Sequence, residues 1–178
     1  MKVLIISDID DFHWEHGSGK ADLLVSCGDI YDQVICEAAE AYSVKKIFAI
    51  KGNHDFNRSF HESIDDLHLC VKEFGGIKFG GLNGSWKYKP RGDFLYDEWE
   101  VDEFLSFFPH VDIFISHNSP RTIHDQEDGI HYGFEALKSY ALRMKPRILI
   151  HGHQHINREA VLGDTRIIGV YGYKIIEV

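Results

Sequence analysis

An α/β architecture of two packed sheets with helices outside, a four-layer α/β/β/α sandwich of two mixed sheets, is predicted by three features of the sequence. Five apolar runs of strand length recur, amphipathic helical patterns lie between them, and two further segments carry strand composition around glycine-containing turns. Runs that are apolar throughout mean strands covered on both faces. Strands alternating with helices mean a largely parallel arrangement.

In chain order the strand runs are KVLIIS (2–7), DLLVSC (22–27), KIFAIK (46–51), VDIFIS (111–116) and RILIHG (147–152), each ending in a polar or glycine-containing turn. Residues 32–43 predict a helix with Asp32 near its N-cap, and residues 97–108 a second with Val101, Phe104, Leu105 and Phe108 on one stripe. Residues 133–144 repeat the pattern before Pro146. The segments 71–84 and 159–178 have no intervening helix and read as hairpins that fill out one of the sheets.

With 178 residues, 44% hydrophobic and 13% aromatic, the chain can bury a proper core. No Pro-rich, Ser-rich or repeated segment divides it, so a single domain over residues 1–178 is expected. Cys27, Cys36 and Cys70 form no CxxC pair and suit reduced thiols in a cytoplasmic protein. The first apolar run ends at Asp8, too soon for a signal peptide, and no stretch has the length of a membrane span. A formal net charge of -9 argues against broad nucleic-acid binding, which needs clustered Lys and Arg. It leaves a small phosphate ester open, because bound cations reverse the local field.

Polar clusters follow each apolar run: Asp8 and Asp10, then Asp29 and Asp32, then Gly52-Asn53-His54-Asp55, then His117, then Gly152-His153-Gln154-His155. In open α/β sheets ligands bind at the carboxyl ends of strands, so five runs would deliver these residues to one place. Asp, Asn and His without thiolate suit Mn, Fe, Zn or a similar divalent ion. In an extended turn side chains two apart point the same way, which turns His153 with His155, and Asp8 with Asp10, toward one cluster and leaves Asp11 outside.

This set resembles the calcineurin-like metallophosphoesterase superfamily, whose pattern is DxH, GDxxD, GNH(D/E), a lone His and GHxH. Here it stands as Asp8-Ile-Asp10, Gly28-Asp29-Ile-Tyr-Asp32, Gly52-Asn53-His54-Asp55, His117 and Gly152-His153-Gln154-His155. One position departs: Asp10 occupies the place of a His. The resemblance implies one ion held by Asp8, Asp10, Asp29 and His155 and a second by Asp29, Asn53, His117 and His153, with Asp29 bridging. Two such ions, roughly 3.5–4 Å apart, clamp a phosphoryl group and generate a hydroxide that attacks phosphorus. It further implies His54 as general acid and Asp32 as the carboxylate that orients it, with a helix N-cap as the competing role for Asp32. A third carboxylate at the first site favours Mn or Fe over Zn and makes the shared water less acidic.

Arg58 and Arg121 follow ligand motifs by a few residues and are candidate phosphate contacts, with a surface ion pair as the equal alternative. Trp86 and Tyr88, interleaved with Lys87, Lys89 and Arg91, have the composition to stack a base, or to form a plain exposed loop. Trp99 and Phe107 fall outside the helical stripe and are a candidate homodimer patch, with packing under a loop as the simpler reading.

The reading that results is a phosphoesterase acting on a small phosphodiester or phosphomonoester. Its alternative is a protein-binding scaffold of the same fold that has lost the chemistry. The presence of His54 discriminates for the enzyme.

Overall fold

The computed structural model describes residues 1–178. The chain runs β1 (Lys2–Ser7), β2 (Leu23–Ser26), α1 (Asp32–Ala41), β3 (Ile47–Ala49), β4 (Ile64–Asp66), β5 (Val71–Phe74) and β6 (Ile77–Leu82). It continues through β7 (Ser85–Trp86), β8 (Leu95–Tyr96), α2 (Glu98–Ser106), β9 (Ile113–Ser116), α3 (Glu135–Met144), β10 (Ile148–His151), β11 (Arg158–Leu162), β12 (Thr165–Gly169) and β13 (Gly172–Glu177).

Two mixed sheets form, in the orders β13-β1-β2-β3-β4 and β11-β12-β10-β9-β6-β5, beside the two-stranded pair β7-β8. The continuous apolar runs divide by pleat. Val3, Ile5 and Val25 of the first sheet meet Ile113, Ile115, Ile148 and Ile150 of the second in the core between the sheets. Leu4, Ile6 and Leu24 face outward onto Val34, Ile35 and Ala38 of α1. Phe114, Leu149 and Ile167 face outward onto Val101 and Leu105 of α2 and Leu137 and Tyr140 of α3. Residues of the central strands thus have apolar neighbours on both faces, and the four layers are α1, sheet, sheet, and the α2–α3 pair. At about 1.5–3 kcal/mol for each large side chain removed from water, these three clusters are the main stabilising term.

The helix ends differ in detail from expectation. Tyr31, not Asp32, stands at the N-cap of α1, and Asp32 is the first helical residue. In α2, Glu100 reaches back to accept a hydrogen bond from the Asp97 backbone N–H at 2.8 Å. Glu98 of α2 also accepts from the Ala136 N–H at 2.6 Å, placing a carboxylate on the N-terminus of α3. Lys145, in a left-handed conformation, ends α3 before Pro146.

Both hairpins lie in the second sheet, β5 with β6 and β11 with β12. The last strand does not stay with them. β13 crosses to the first sheet and pairs antiparallel with β1, from Lys2 opposite Glu177 to Ser7 opposite Gly172. It thereby covers what would otherwise be the open edge of β1.

Candidate active site

Parallel strands from both sheets, β1, β2 and β3 on one side and β9 and β10 on the other, end at one edge of the molecule. Backbone hydrogen bonds tie the loops there: the Asp8 N–H donates to Gly28 O at 3.1 Å and the Gly152 N–H to His117 O at 3.0 Å. Four residues adopt positive φ where the chain leaves its strand, Asp8 (54°), Asp29 (56°), His153 (62°) and His155 (49°). Non-glycine residues rarely adopt this conformation, and such strain gathers where a fold forces side chains into a shared site. Two glycines allow the approach. A Cβ on Gly28 would stand 2.9 Å from His117 Nδ1, and one on Gly152 would stand 2.6 Å from Asp8 Oδ2.

Asp8, Asp29 and His117 form the buried floor, with one ligand atom of each lying within 4.8 Å of the others. Asp8 Oδ2 accepts from Ser7 Oγ (2.6 Å) and from the His153 N–H (2.9 Å). Asp29 Oδ1 accepts from the His54 N–H at 2.8 Å. His117 Nδ1 donates to Cys27 O at 2.8 Å, which leaves Nε2 facing Asn53 Oδ1 at 3.0 Å and Asp29 Oδ2 at 3.2 Å. Asp55, beside His54, is a brace: its Oδ2 accepts from the N–H groups of Gly52 (2.7 Å) and Asp29 (2.9 Å).

The electrostatics follow from burial set against charge. Burial pushes the Asp29 carboxyl up, but the His117 imidazolium and the His54 N–H outweigh it and hold it at about 2. Burial pushes His117 down, and Asp29 with Asp8 overcomes this and raises it to about 10. His153 has no such partner, so burial and neighbouring His117 lower it to about 3 and keep it neutral. His155 is raised by Asp8, whose Oδ1 stands 3.5 Å from its Nε2.

The donor set fits divalent metal ions. Asp8 Oδ1 is buried without a hydrogen-bond partner, a costly position for a carboxylate oxygen that a cation would relieve. His117 Nε2 converges on two oxygens, and its Nδ1–H bond to Cys27 O fixes the tautomer that offers Nε2 to a metal. His153, whose ring centre is 5.0 Å from that of His117, has Nε2 3.4 Å from Ile130 O, the same kind of outer support. Oxygen and imidazole nitrogen without thiolate suit borderline and hard divalent ions.

The remaining expected residues occupy the rim. Asp10 is exposed and lines a recess with Asp29, Tyr31, His54 and Asp55, outside the buried trio. Asp11 points away and meets His16 at 3.1 Å. His13 pairs with Glu37 of α1 at 3.1 Å. Asp32 does not hold His54: its carboxylate binds buried Lys51 Nζ at 3.2 Å and the His61 N–H at 2.8 Å. That pairing wins because Lys51, 4% exposed, has its ammonium against the Phe60 ring and needs a counter-charge. Arg121 is an ion pair, with Asp125 and with Glu127 (2.7 Å), its guanidinium over Tyr132, so the structure does not bring it to the floor. Arg58 is exposed against Phe56 and lines a recess next to the first. Trp86 packs on Tyr132 and Phe134, which removes it as a stacking surface. Tyr88 does reach the site, its hydroxyl oxygen accepting from Asn53 Nδ2 at 3.3 Å.

Sequence reasoning gave Asp55 no role of its own and offered Tyr88 as a stacking surface rather than as a partner of Asn53. His131 pairs with Asp128 at 2.5 Å and brings its ring centre within 5.0 Å of that of His153. Asp55 had a signal, the last position of the GNHD block; the Tyr88 contact with Asn53 and the His131 contact with His153 arise from folded loops.

No curated protein sequence matches this one. Among solved structures, TT1561 of Thermus thermophilus superposes with a TM-score of 0.63 at 12% identity, over 96% of this chain and 89% of that one. The phosphopantetheinyl hydrolase PptH from Mycobacterium tuberculosis gives 0.59 at 13%, over 96% and 89%. A single-mutant Vps29 from Entamoeba histolytica gives 0.53 at 16%, over 100% and 86%. These likenesses concern the fold. The family model described as calcineurin-like phosphoesterase matches residues 1–157, through the last histidine of the site, and the chain therefore belongs to the calcineurin-like phosphoesterase family.

Proposed function

We propose that the protein is a dinuclear-metal-dependent phosphoesterase that hydrolyses a small phosphodiester or phosphomonoester. The observation that carries this reading is the buried Asp8–Asp29–His117 group, whose Asp8 Oδ1 makes no hydrogen bond and has only the His155 ring, at 3.5 Å, beside it. Asp8, Asp10, Asp29 and His155 would hold one divalent ion and Asp29, Asn53, His117 and His153 the other, with Mn or Fe favoured over Zn. Ions held there would supply Lewis-acid chemistry, polarising phosphoryl oxygens and lowering the pKa of a bound water.

The chain's own residues supply the rest. His54 presents an exposed imidazole over the recess while its backbone N–H is fixed to Asp29 Oδ1, so its ring donates the proton to the leaving oxygen. Asn53 orients the phosphate through its amide. Asp32 acts at one remove, pinning residues 54–61 through His61 and Lys51. Arg58 is the cation free to meet a substrate anion, and Arg121 is left to its ion pairs.

Metal analysis of the purified protein, with parallel assays of p-nitrophenyl phosphate and bis(p-nitrophenyl) phosphate in Mn²⁺, tests the reading. Turnover that falls about 10²-fold or more in His54→Ala is the expected result. The scaffold alternative draws on the full-length likeness to Vps29 and on the engagement of Asp32 by Lys51 rather than by His54. Absence of turnover with every divalent ion tried would decide for it.

A further inference from the structure

We propose that Phe12, Tyr31 and Arg58 form a subsite for the planar base of a nucleotide-type phosphate ester, placed beside the metal centre. The proposal rests on the phosphoesterase reading and names its substrate class. Phe12 is 72% exposed, Phe56 60% and Tyr31 41%, and none belongs to the three core clusters. All three sit within four residues of a candidate ligand or of His54, so the loops that build the floor also raise these rings around its mouth. Large apolar side chains gathered and left exposed at a charged mouth are a recognition feature, since none of the three is drawn into the core.

The geometry favours a flat partner. Phe12 and Tyr31 stack with ring centres 5.6 Å apart and planes within 9°, which leaves their outer faces parallel and open. Tyr31 is the shared wall of two recesses: one with Asp10, Asp29 and His54, the other with Phe12, Gln33 and Arg58. A phosphoryl group over the floor would thus leave its organic substituent against the Tyr31–Phe12 stack. Arg58, which has no ion-pair partner, supplies a donor for ring heteroatoms or a further phosphate. Gln33, whose amide nitrogen is held by Glu37 at 2.8 Å, leaves its Oε1 as an acceptor for a ring N–H. An alkyl chain would use neither contact. Stacking of a base on an aromatic side chain is worth about tenfold or more in affinity.

The test compares esters that differ in the base: adenosine 5′-monophosphate against ribose 5-phosphate, and adenosine 2′,3′-cyclic phosphate against 1-O-methylribose 2,3-cyclic phosphate. The wild-type protein is expected to favour the base-bearing member of a hydrolysed pair by about tenfold in kcat/KM. That ratio should fall toward one in Phe12→Ala and Phe12→Leu and return in Phe12→Trp, mainly through KM. A ratio near one in the wild type, or one that Phe12→Ala leaves intact, overturns the subsite. If no ester is hydrolysed, the phosphoesterase reading fails by itself, and adenosine binding followed by NMR decides the subsite: binding lost in Phe12→Ala supports it, and no binding overturns it. A shift from dimer to monomer in Phe12→Ala, with adenosine binding absent, would make the patch a self-interface and likewise overturn the proposal.

Discussion

The floor and the rim of the site are built in opposite ways. Asp8, Asn53, His117 and His153 are buried, take their conformation from positive φ or from backbone hydrogen bonds, and answer to one another electrostatically. Asp10, His54, Phe12 and Arg58, a few residues away along the same loops, are exposed, and no hydrogen bond holds the Asp10, His54 or Arg58 side chain. The difference separates two tasks. A floor that must gather like charges needs rigid, strained supports, because carboxylates left free would move apart. A rim that must admit and release a substrate needs side chains with room to move. Substitutions on the floor should therefore cost both stability and metal, whereas those on the rim should change turnover, metal preference or selectivity and leave stability nearly unchanged.

The largest effect expected is at the centre of the floor. Asp29→Ala removes the counter-charge of fully buried His117 and the acceptor of the His54 N–H. Leaving one member of a buried ion pair alone typically costs about 3–5 kcal/mol. Metal content by elemental analysis should fall to background, and the urea midpoint should drop by the corresponding amount. A variant that retains both metal and stability would show that floor and rim are not distinct.

Next comes the pH response of the floor's support. Buried His151 donates from Nδ1 to Gly152 O and accepts at Nε2 from His124 Nδ1 at 2.9 Å, an arrangement that suits the neutral ring. Burial lowers His151 from 6.5 to about 4. Below pH 6.5 the unfolded chain takes a proton that the folded chain refuses, so stability present above pH 6.5 is lost as the pH falls toward 4. The full shift corresponds to about 3 kcal/mol. Urea titrations of chelator-treated protein between about pH 7.5 and 4 should show this fall together with that of His153, lowered to about 3, and His151→Gln should make it shallower by the His151 share.

Asp10→His tests the rim from the other side. Asp10 is exposed, so stability should change by less than about 0.5 kcal/mol. If Asp10 supplies an oxygen to the first ion, the substitution should move preference from Mn²⁺ toward Zn²⁺ and lower the pH optimum. Should neither change, Asp10 is a rim residue without a metal, and the first site is completed by Asp8, Asp29 and His155.

Most of the fold was legible because burial on both faces leaves its mark in sequence: VLII, LLV and IFI are apolar at every position, and only a strand between two layers requires that. β4, β7 and β8 are two or three residues long and show no periodicity. The crossing of β13 to the first sheet was hidden for another reason, since alternation tells which face is buried and says nothing of which strand lies alongside. At the site, ligands next to strand ends could be read in order because the strands themselves aim them. The partner of Asp32 could not, because Lys51 competes for it only after α1 and β3 have packed.

Arg121 provides the smallest effect, and a sharp one. Sequence left it, like Arg58, between a phosphate contact and a surface ion pair, and in the structure its guanidinium is engaged by Asp125 and Glu127, with Tyr132 beneath it. The burial of the Asp125 side chain, 6% exposed, marks this as a loop staple rather than a substrate hook. Glu127 is exposed and Asp125 keeps the Gly133 N–H at 3.3 Å, so Arg121→Ala should lower the thermal midpoint by a few degrees and leave KM within about twofold. Arg58→Ala, which breaks no ion pair, should do the reverse, leaving the midpoint unchanged and raising KM. Equal KM effects from the two arginines would mean that the 119–133 loop opens during turnover and lends Arg121 to the substrate.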